Sequence, residues 1–216
     1  MSPRFLYLHG FASSPGSRKA IAFERHYAPR GVELDRLDLR VPTFPNLRLS
    51  AMIEVTRAAI GGERDRAVVI GSSLGGLTAT RTAERDPRVA ALVLMAPAFQ
   101  LAQRWRSQLG EEAWATWQRT NAIEVTDRAT GKPAQVPFDF MTDVLAIDEG
   151  FPEIRIPTLI VHGVNDDVVP VDHSRRFAAG KRHVRLVEVD DDHELAASIP
   201  RILEESDRFL ATWLGE

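Results

Sequence analysis

Six short strand-like runs, most of them apolar on both faces, alternate with helix-like stretches, and no other feature limits the fold of this chain so strongly. "FLYL" (Phe5–Leu8) is followed by a loop and then "SRKAIAFERHYA". "VELDRLDL" (Val32–Leu39) precedes "NLRLSAMIEVTRAAI" (Asn46–Ile60), whose apolar positions recur at helical spacing. "AVVI" (Ala67–Ile70) leads into "SSLGGLTATRTAERD", and "VAALVLM" (Val89–Met95) ends at Ala96-Pro97. "TLIVHG" (Thr158–Gly163), "VRLVEV" (Val184–Val189) and an amphipathic stretch, Ile199–Leu214, follow. Strands apolar on both faces belong to parallel sheets, where crossover helices cover each side. The expectation is an α/β architecture: a mostly parallel central sheet of about six or seven strands, with helices on both faces. At 216 residues and 44% hydrophobic composition the chain can bury the core this requires.

One stretch breaks the alternation. Between Pro97 and Pro157 lie three of the four tryptophans and a hairpin-like "IEVTDRATGKPAQVPF" that turns near Thr130-Gly131-Lys132. An interruption this long between two core strands predicts an insertion with structure of its own, of the kind that forms lids. The expected organisation is a core from residues 1–96 and 157–216, with a lid or cap at 97–156.

"VVIGSSLGG" places two serines among glycines directly after a strand. Gly71-Ser72-Ser73-Leu74-Gly75 fits G-x-S-x-G with Ser73 at the centre, and Ser72 does not fit because Ile70 and Leu74 would stand at the glycine positions. A strand-to-helix turn that lifts one side chain above the sheet strains that residue's backbone and needs small neighbours two positions away. The helix starting just after it aims free N–H groups at the same spot, where negative charge is stabilised. By itself the pattern also fits a glycine-rich turn that packs a helix on a sheet. Its place after "AVVI", central among the strands, favours a site, because ligands gather at the carboxyl ends of parallel strands.

A serine nucleophile needs a base, and the base needs an orienting group. Of the six histidines, His193 in "VRLVEVDDDHEL" lies just beyond the last strand-like run, in a loop at the sheet's carboxyl edge. His9 and His162 also end strands, but each precedes glycine and is expected to tuck against loop backbone. His26, His173 and His183 fall in or beside helix-like segments and read as surface or packing residues. For the carboxylate, "VHGVNDDVVP" offers Asp166 and Asp167.

"YLHGFASSPGS", "GSSLGG", "VHGVNDDVVP" and "DDDHEL" together resemble the α/β-hydrolase superfamily, in family order and across nearly the whole chain. The Leu-His-Gly-Phe-x-Ser-Ser-Pro opening is similar to a branch of small bacterial esterase-like proteins. The resemblance implies an α/β-hydrolase fold with a catalytic triad of Ser73, Asp166 and His193, the acid being Asp166 rather than Asp167. It also implies an oxyanion hole from the backbone N–H groups of Phe11 and Leu74. One departure is visible: the first strand-like run corresponds to the family's third strand, so the antiparallel hairpin of longer relatives is expected to be missing.

The function implied is a serine hydrolase that cleaves a small-molecule carboxylic ester or thioester through an acyl-enzyme on Ser73, with no metal and no organic cofactor. Other bond cleavage or acyl transfer on the same triad, as in peptidases and carbon–carbon hydrolases, and a non-catalytic binding protein are the alternatives. Phe99, Leu101, Trp105, Leu109, Trp114 and Trp117 either face an acyl pocket or dock the insertion on the sheet. Arg104, Arg106, Arg119 and Lys132 either meet an anionic leaving group or are solvated. A net charge of -3 gives no reason to expect nucleic acid. The chain has no cysteine, which removes disulfides and thiolate chemistry. The N-terminal apolar run is too short for a signal peptide or membrane span, and the expected location is cytoplasmic.

Overall fold

The computed structural model describes residues 3–215. In chain order β1 (Arg4–Leu8), α1 (Arg18–Tyr27), β2 (Leu34–Leu37), α2 (Leu49–Ile60), β3 (Ala67–Ser72), α3 (Leu74–Arg85) and β4 (Val89–Met95) come first. An excursion follows, made of α4 (Leu101–Thr120), β5 (Ile123–Asp127), β6 (Lys132–Val136) and α5 (Asp139–Ile147). The chain then resumes with β7 (Thr158–Gly163), α6 (Asp172–Ala178), β8 (Val184–Val189) and α7 (Ile199–Leu214).

Among the described residues, six strands form one sheet in the order β2-β1-β3-β4-β7-β8, each neighbouring pair parallel. Alternate side chains explain why the strands are apolar throughout. Leu6, Leu8, Val69, Leu92, Leu94 and Ile160 face one side and pack with α2, α3 and the excursion. Phe5, Tyr7, Val68, Ile70, Val93 and Val161 face the other and pack with α1 and α7. Each such side chain, fully buried, stabilises the fold by roughly 1.5–3 kcal/mol. The run predicted over Val32–Leu39 yields a shorter edge strand, because the Leu39 N–H leaves the ladder and donates to His9 Nε2 at 3.0 Å.

Strand order reverses between β1 and β3: the chain moves outward from β1 to β2, then returns to β1's other side. Such switch points open a crevice at the carboxyl ends of the strands. The excursion spans 97–156 between paired neighbours β4 and β7, and its Trp114, Trp117, Phe138, Phe140 and Val144 share one cluster with the sheet residues. Asp148 ties it down, accepting from Leu101 N–H at the start of α4 (3.0 Å) and from the Arg81 guanidinium of α3 (2.8 Å). No described helix is long and apolar enough to cross a membrane.

Candidate active site

Ser73 joins β3 to α3 with φ 54° and ψ -115°, the left-handed side of backbone space that a serine adopts only under constraint. Backbone bonds supply the constraint. Ser73 N–H donates to the Met95 carbonyl (2.9 Å), and the Ser73 carbonyl accepts from Gly76 (2.9 Å), Leu77 (3.1 Å) and Ala98 (3.1 Å). The two motif glycines have a steric reason as well. A Cβ on Gly75 would overlap the Leu8 carbonyl of β1, and one on Gly71 would run into the backbone of Gly75 and Gly76. Ser72 ends β3 and is buried.

The loops after β3, β7 and β8 bring Ser73, Asp166 and His193 together. His193 Nδ1–H donates to Asp166 Oδ2 at 2.7 Å, which leaves Nε2 to accept from the Ser73 hydroxyl at 3.0 Å. Asp166 Oδ1 accepts from the N–H groups of Val168 (2.9 Å) and Val169 (2.6 Å). Burial pushes the Asp166 carboxyl up, but hydrogen bonds from His162, His193 and Val169 N–H outweigh it and hold the group well below the usual carboxylate range. An imidazole held this way can take the hydroxyl's proton while a fixed anion faces its other nitrogen.

His162 is tucked into the fold, as its place before a glycine predicts, and it does more than pack. Its Nε2 lies 3.1 Å from Asp166 Oδ2 and 2.8 Å from the Val169 carbonyl, both acceptors, so Nε2 carries the proton. Nδ1 then accepts from the Ser174 hydroxyl at 2.7 Å. No motif in the sequence marks this contact with Asp166, since a four-residue separation across a turn fixes no meeting of side chains. His9 also meets backbone: Nδ1–H donates to the Gly10 carbonyl (2.9 Å), and burial pulls its pKa down, keeping Nε2 free to accept from Leu39. That bond fixes the loop carrying Phe11. His26 binds Asp207 at 2.9 Å, away from the three.

A cavity of about 660 Å³ opens over Ser73 and His193, a size typical of small-molecule sites. Phe11 and Leu74 line it, and among the described residues no acceptor takes up the backbone N–H of either. Leu74 is the first residue of α3, where intrahelical partners are lacking. Of the tryptophans, Trp105 lines the cavity, with its ring edge-on to Phe11 at 5.0 Å. Trp114 and Trp117 do not reach it, so of the two alternatives they dock the excursion rather than face the cavity. Both are buried against Phe138, and Trp117 Nε1–H donates to the Val136 carbonyl at 2.8 Å. Leu101 borders the cavity, whereas Phe99 stacks on Phe177 at 4.5 Å. Among the basic candidates Arg104 lines it; Arg106 pairs with Glu111, and Arg119 and Lys132 are exposed. Arg18, Lys19 and Arg128, which no motif in the sequence marks, also line it.

Residues 4–210 match a family model described as Uncharacterised protein family (UPF0227). No curated protein matches the chain. Among solved structures, the α/β-hydrolase domain-containing protein 10 from mouse superposes with a TM-score of 0.82 at 19% identity, over 98% of this chain and 91% of that one. Est1E from Butyrivibrio proteoclasticus, solved with ferulic acid, superposes with a TM-score of 0.80 at 20% identity, over 99% and 90%. At these identities the likeness speaks for the fold: the chain has the α/β-hydrolase fold.

Proposed function

The chain belongs to the Uncharacterised protein family UPF0227, and from the geometry of its site we propose that it is a serine hydrolase. It cleaves carboxylic esters or thioesters of small or medium acyl groups through an acyl-enzyme on Ser73. The observation that carries this reading is a single imidazole, His193, within hydrogen-bond reach of the Ser73 hydroxyl (3.0 Å) and the Asp166 carboxylate (2.7 Å). A protein of the same fold that holds a carboxylic acid, ferulic acid, supports acyl chemistry here.

Ser73 Oγ attacks the acyl carbonyl carbon as its proton passes to His193 Nε2, and the carbonyl π electrons move to oxygen. The N–H groups of Phe11 and Leu74 receive that oxyanion; each strong donor of this kind is typically worth roughly 3–4 kcal/mol. The intermediate collapses, the bond to the leaving alkoxide or thiolate breaks, and His193 returns the proton to it. Water then attacks the acyl-enzyme with His193 as base, releasing the acid and restoring the serine. Asp166, ionised throughout, holds Nδ1–H and stabilises the imidazolium. Residues 97–156 serve as a lid, supplying Leu101, Arg104, Trp105, Thr126 and Arg128 to one wall of the cavity.

Hydrolysis of a panel of 4-nitrophenyl esters and acyl thioesters of graded chain length tests the reading. Turnover of at least one series is expected, and turnover of neither counts against it. His162 acts in this scheme as a positioning residue through Asp166. Replacing it with phenylalanine removes one of four donors to the carboxylate, a charge-assisted bond worth about 1.5–3 kcal/mol. Steady-state kinetics on an aryl ester should give a kcat lower by about tenfold or more with KM nearly unchanged.

A further inference from the structure

Arg104 sits on α4 with 7% of its surface exposed, and it lines the cavity that holds Ser73. Its Nη1 donates to the Val168 carbonyl at 2.7 Å. Among the described residues no carboxylate forms an ion pair with it, and its buried Nε finds no hydrogen-bond partner. The nearby carboxylates are committed elsewhere: Asp166 to the two histidines and two backbone N–H groups, Asp148 to Arg81 and Leu101. A buried charge left without a counter-ion is costly to the fold. Among the described residues no hydrogen bond uses the edge formed by Nε and Nη2. It carries two parallel N–H donors at the spacing of a carboxylate's two oxygens.

The rest of the lining points the same way. Among the described residues that line the cavity, Arg18, Lys19, Arg104 and Arg128 are cationic, and Glu194, paired with Arg128, is acidic. Lys19 Nζ donates to the Glu194 carbonyl at 2.7 Å. A chain of net charge -3 thus concentrates positive charge around its hydroxyl, a distribution that draws anions to the site. Burial pulls the Arg104 guanidinium down to about 10, which leaves it charged at neutral pH.

We propose that Arg104 is an anchor for a carboxylate on the substrate, remote from the scissile bond, so that the preferred substrates are anionic esters or thioesters. The proposal rests on the serine-hydrolase reading of the same cavity. The carboxylate belongs either to the acyl part or to the alcohol part, and two matched pairs of esters distinguish them. Mono-4-nitrophenyl adipate against 4-nitrophenyl heptanoate reads the acyl side; 4-acetoxybenzoate against methyl 4-acetoxybenzoate reads the alcohol side.

In at least one pair the chain should favour the anionic ester by about tenfold or more in kcat/KM, mostly through KM. Arg104→Met should bring that ratio close to one, whatever its absolute rates, and Arg104→Lys should fall between. Competition on the unaltered chain supplies a check that needs no variant: adipate should inhibit hydrolysis of the neutral ester competitively, and adipamide should not. No anionic preference in either pair, a preference that survives in Arg104→Met, or equal inhibition by adipate and adipamide would each overturn the proposal. Failure of the underlying reading looks different. A Ser73→Ala variant that hydrolyses the esters normally removes the nucleophile assignment, while the ratio of Michaelis constants in each pair still reports on Arg104.

Discussion

Ser73→Ala is expected to hydrolyse an activated ester at least about 10⁴-fold more slowly than the parent chain, and to melt within a few degrees of it. The two halves of this result have separate causes. On the proposed mechanism, removing Oγ takes away the atom that forms the acyl bond, and among the described residues nothing else hydrogen-bonds His193 Nε2. The strained elbow is held by the backbone bond that Ser73 N–H donates to Met95, by those its carbonyl accepts from Gly76, Leu77 and Ala98, and by the missing side chains of Gly71 and Gly75, none of which the substitution alters. Alanine tolerates φ 54° about as poorly as serine does, so the folded state loses little beyond one hydrogen bond. Progress curves and thermal melts of both proteins check the two halves together.

Asp166→Asn is expected to lower kcat by roughly 10³–10⁴-fold, for a reason visible in the donors around the carboxylate. Oδ1 accepts from two backbone N–H groups, so the amide oxygen of asparagine takes that place and its NH₂ replaces Oδ2. That NH₂ faces His193 Nδ1 and the protonated Nε2 of His162. His193 must then accept at Nδ1 and carry its proton on Nε2, the tautomer that cannot take a proton from Ser73. The two N–H groups now opposed at His162 cost stability as well. The sign of the pH dependence follows from the depressed Asp166 pKa. A carboxyl held below its unfolded value, near 3.9, contributes stability that is fully present above that pH. The contribution is lost as pH falls through the folded value. Asp166→Asn should therefore unfold at lower urea concentration than the parent at pH 7, with the gap narrowing as pH drops below about 4.

The parts of this molecule that could be read in its residues are those that depend on local chemistry. Val68, Val69 and Ile70 announce a strand covered on both faces because both side-chain positions are apolar, and the sheet buries all three. Ser73 is distinguished from Ser72 by glycines two residues away on either side, and the steric need for those glycines is local to the turn. His193 and the Asp166–Asp167 pair are marked by their places just past strand-like runs, but the choice of Asp166 rests on motif resemblance, since 27 residues separate it from His193 and no periodicity links them.

What escaped depends on how distant elements dock. Trp105, Trp114 and Trp117 all lie on α4, yet Gly110 breaks that helix with φ 77° and ψ 162°. Helical phase does not carry across the break, so the first ring borders the cavity while the other two enter the core. Arg104 looks in sequence like its solvated neighbour Arg106. Only the seating of α4 against the loop after β7, where the Val168 carbonyl waits, buries one guanidinium and leaves the other in water with Glu111. His162 reaches Asp166 because the turn after β7 folds back on the strand's end, a path that the sequence of the turn does not specify.

The central claim is that Ser73 is a nucleophile activated by His193, and covalent capture tests it most directly. A fluorophosphonate that reacts with activated serines, incubated with the protein at neutral pH, should give one adduct per chain, and digestion followed by mass spectrometry should place it on Ser73. Ser73→Ala should give none, and Asp166→Asn should label far more slowly. An unlabelled parent protein, an adduct on another residue, or labelling undiminished in Ser73→Ala would contradict the account.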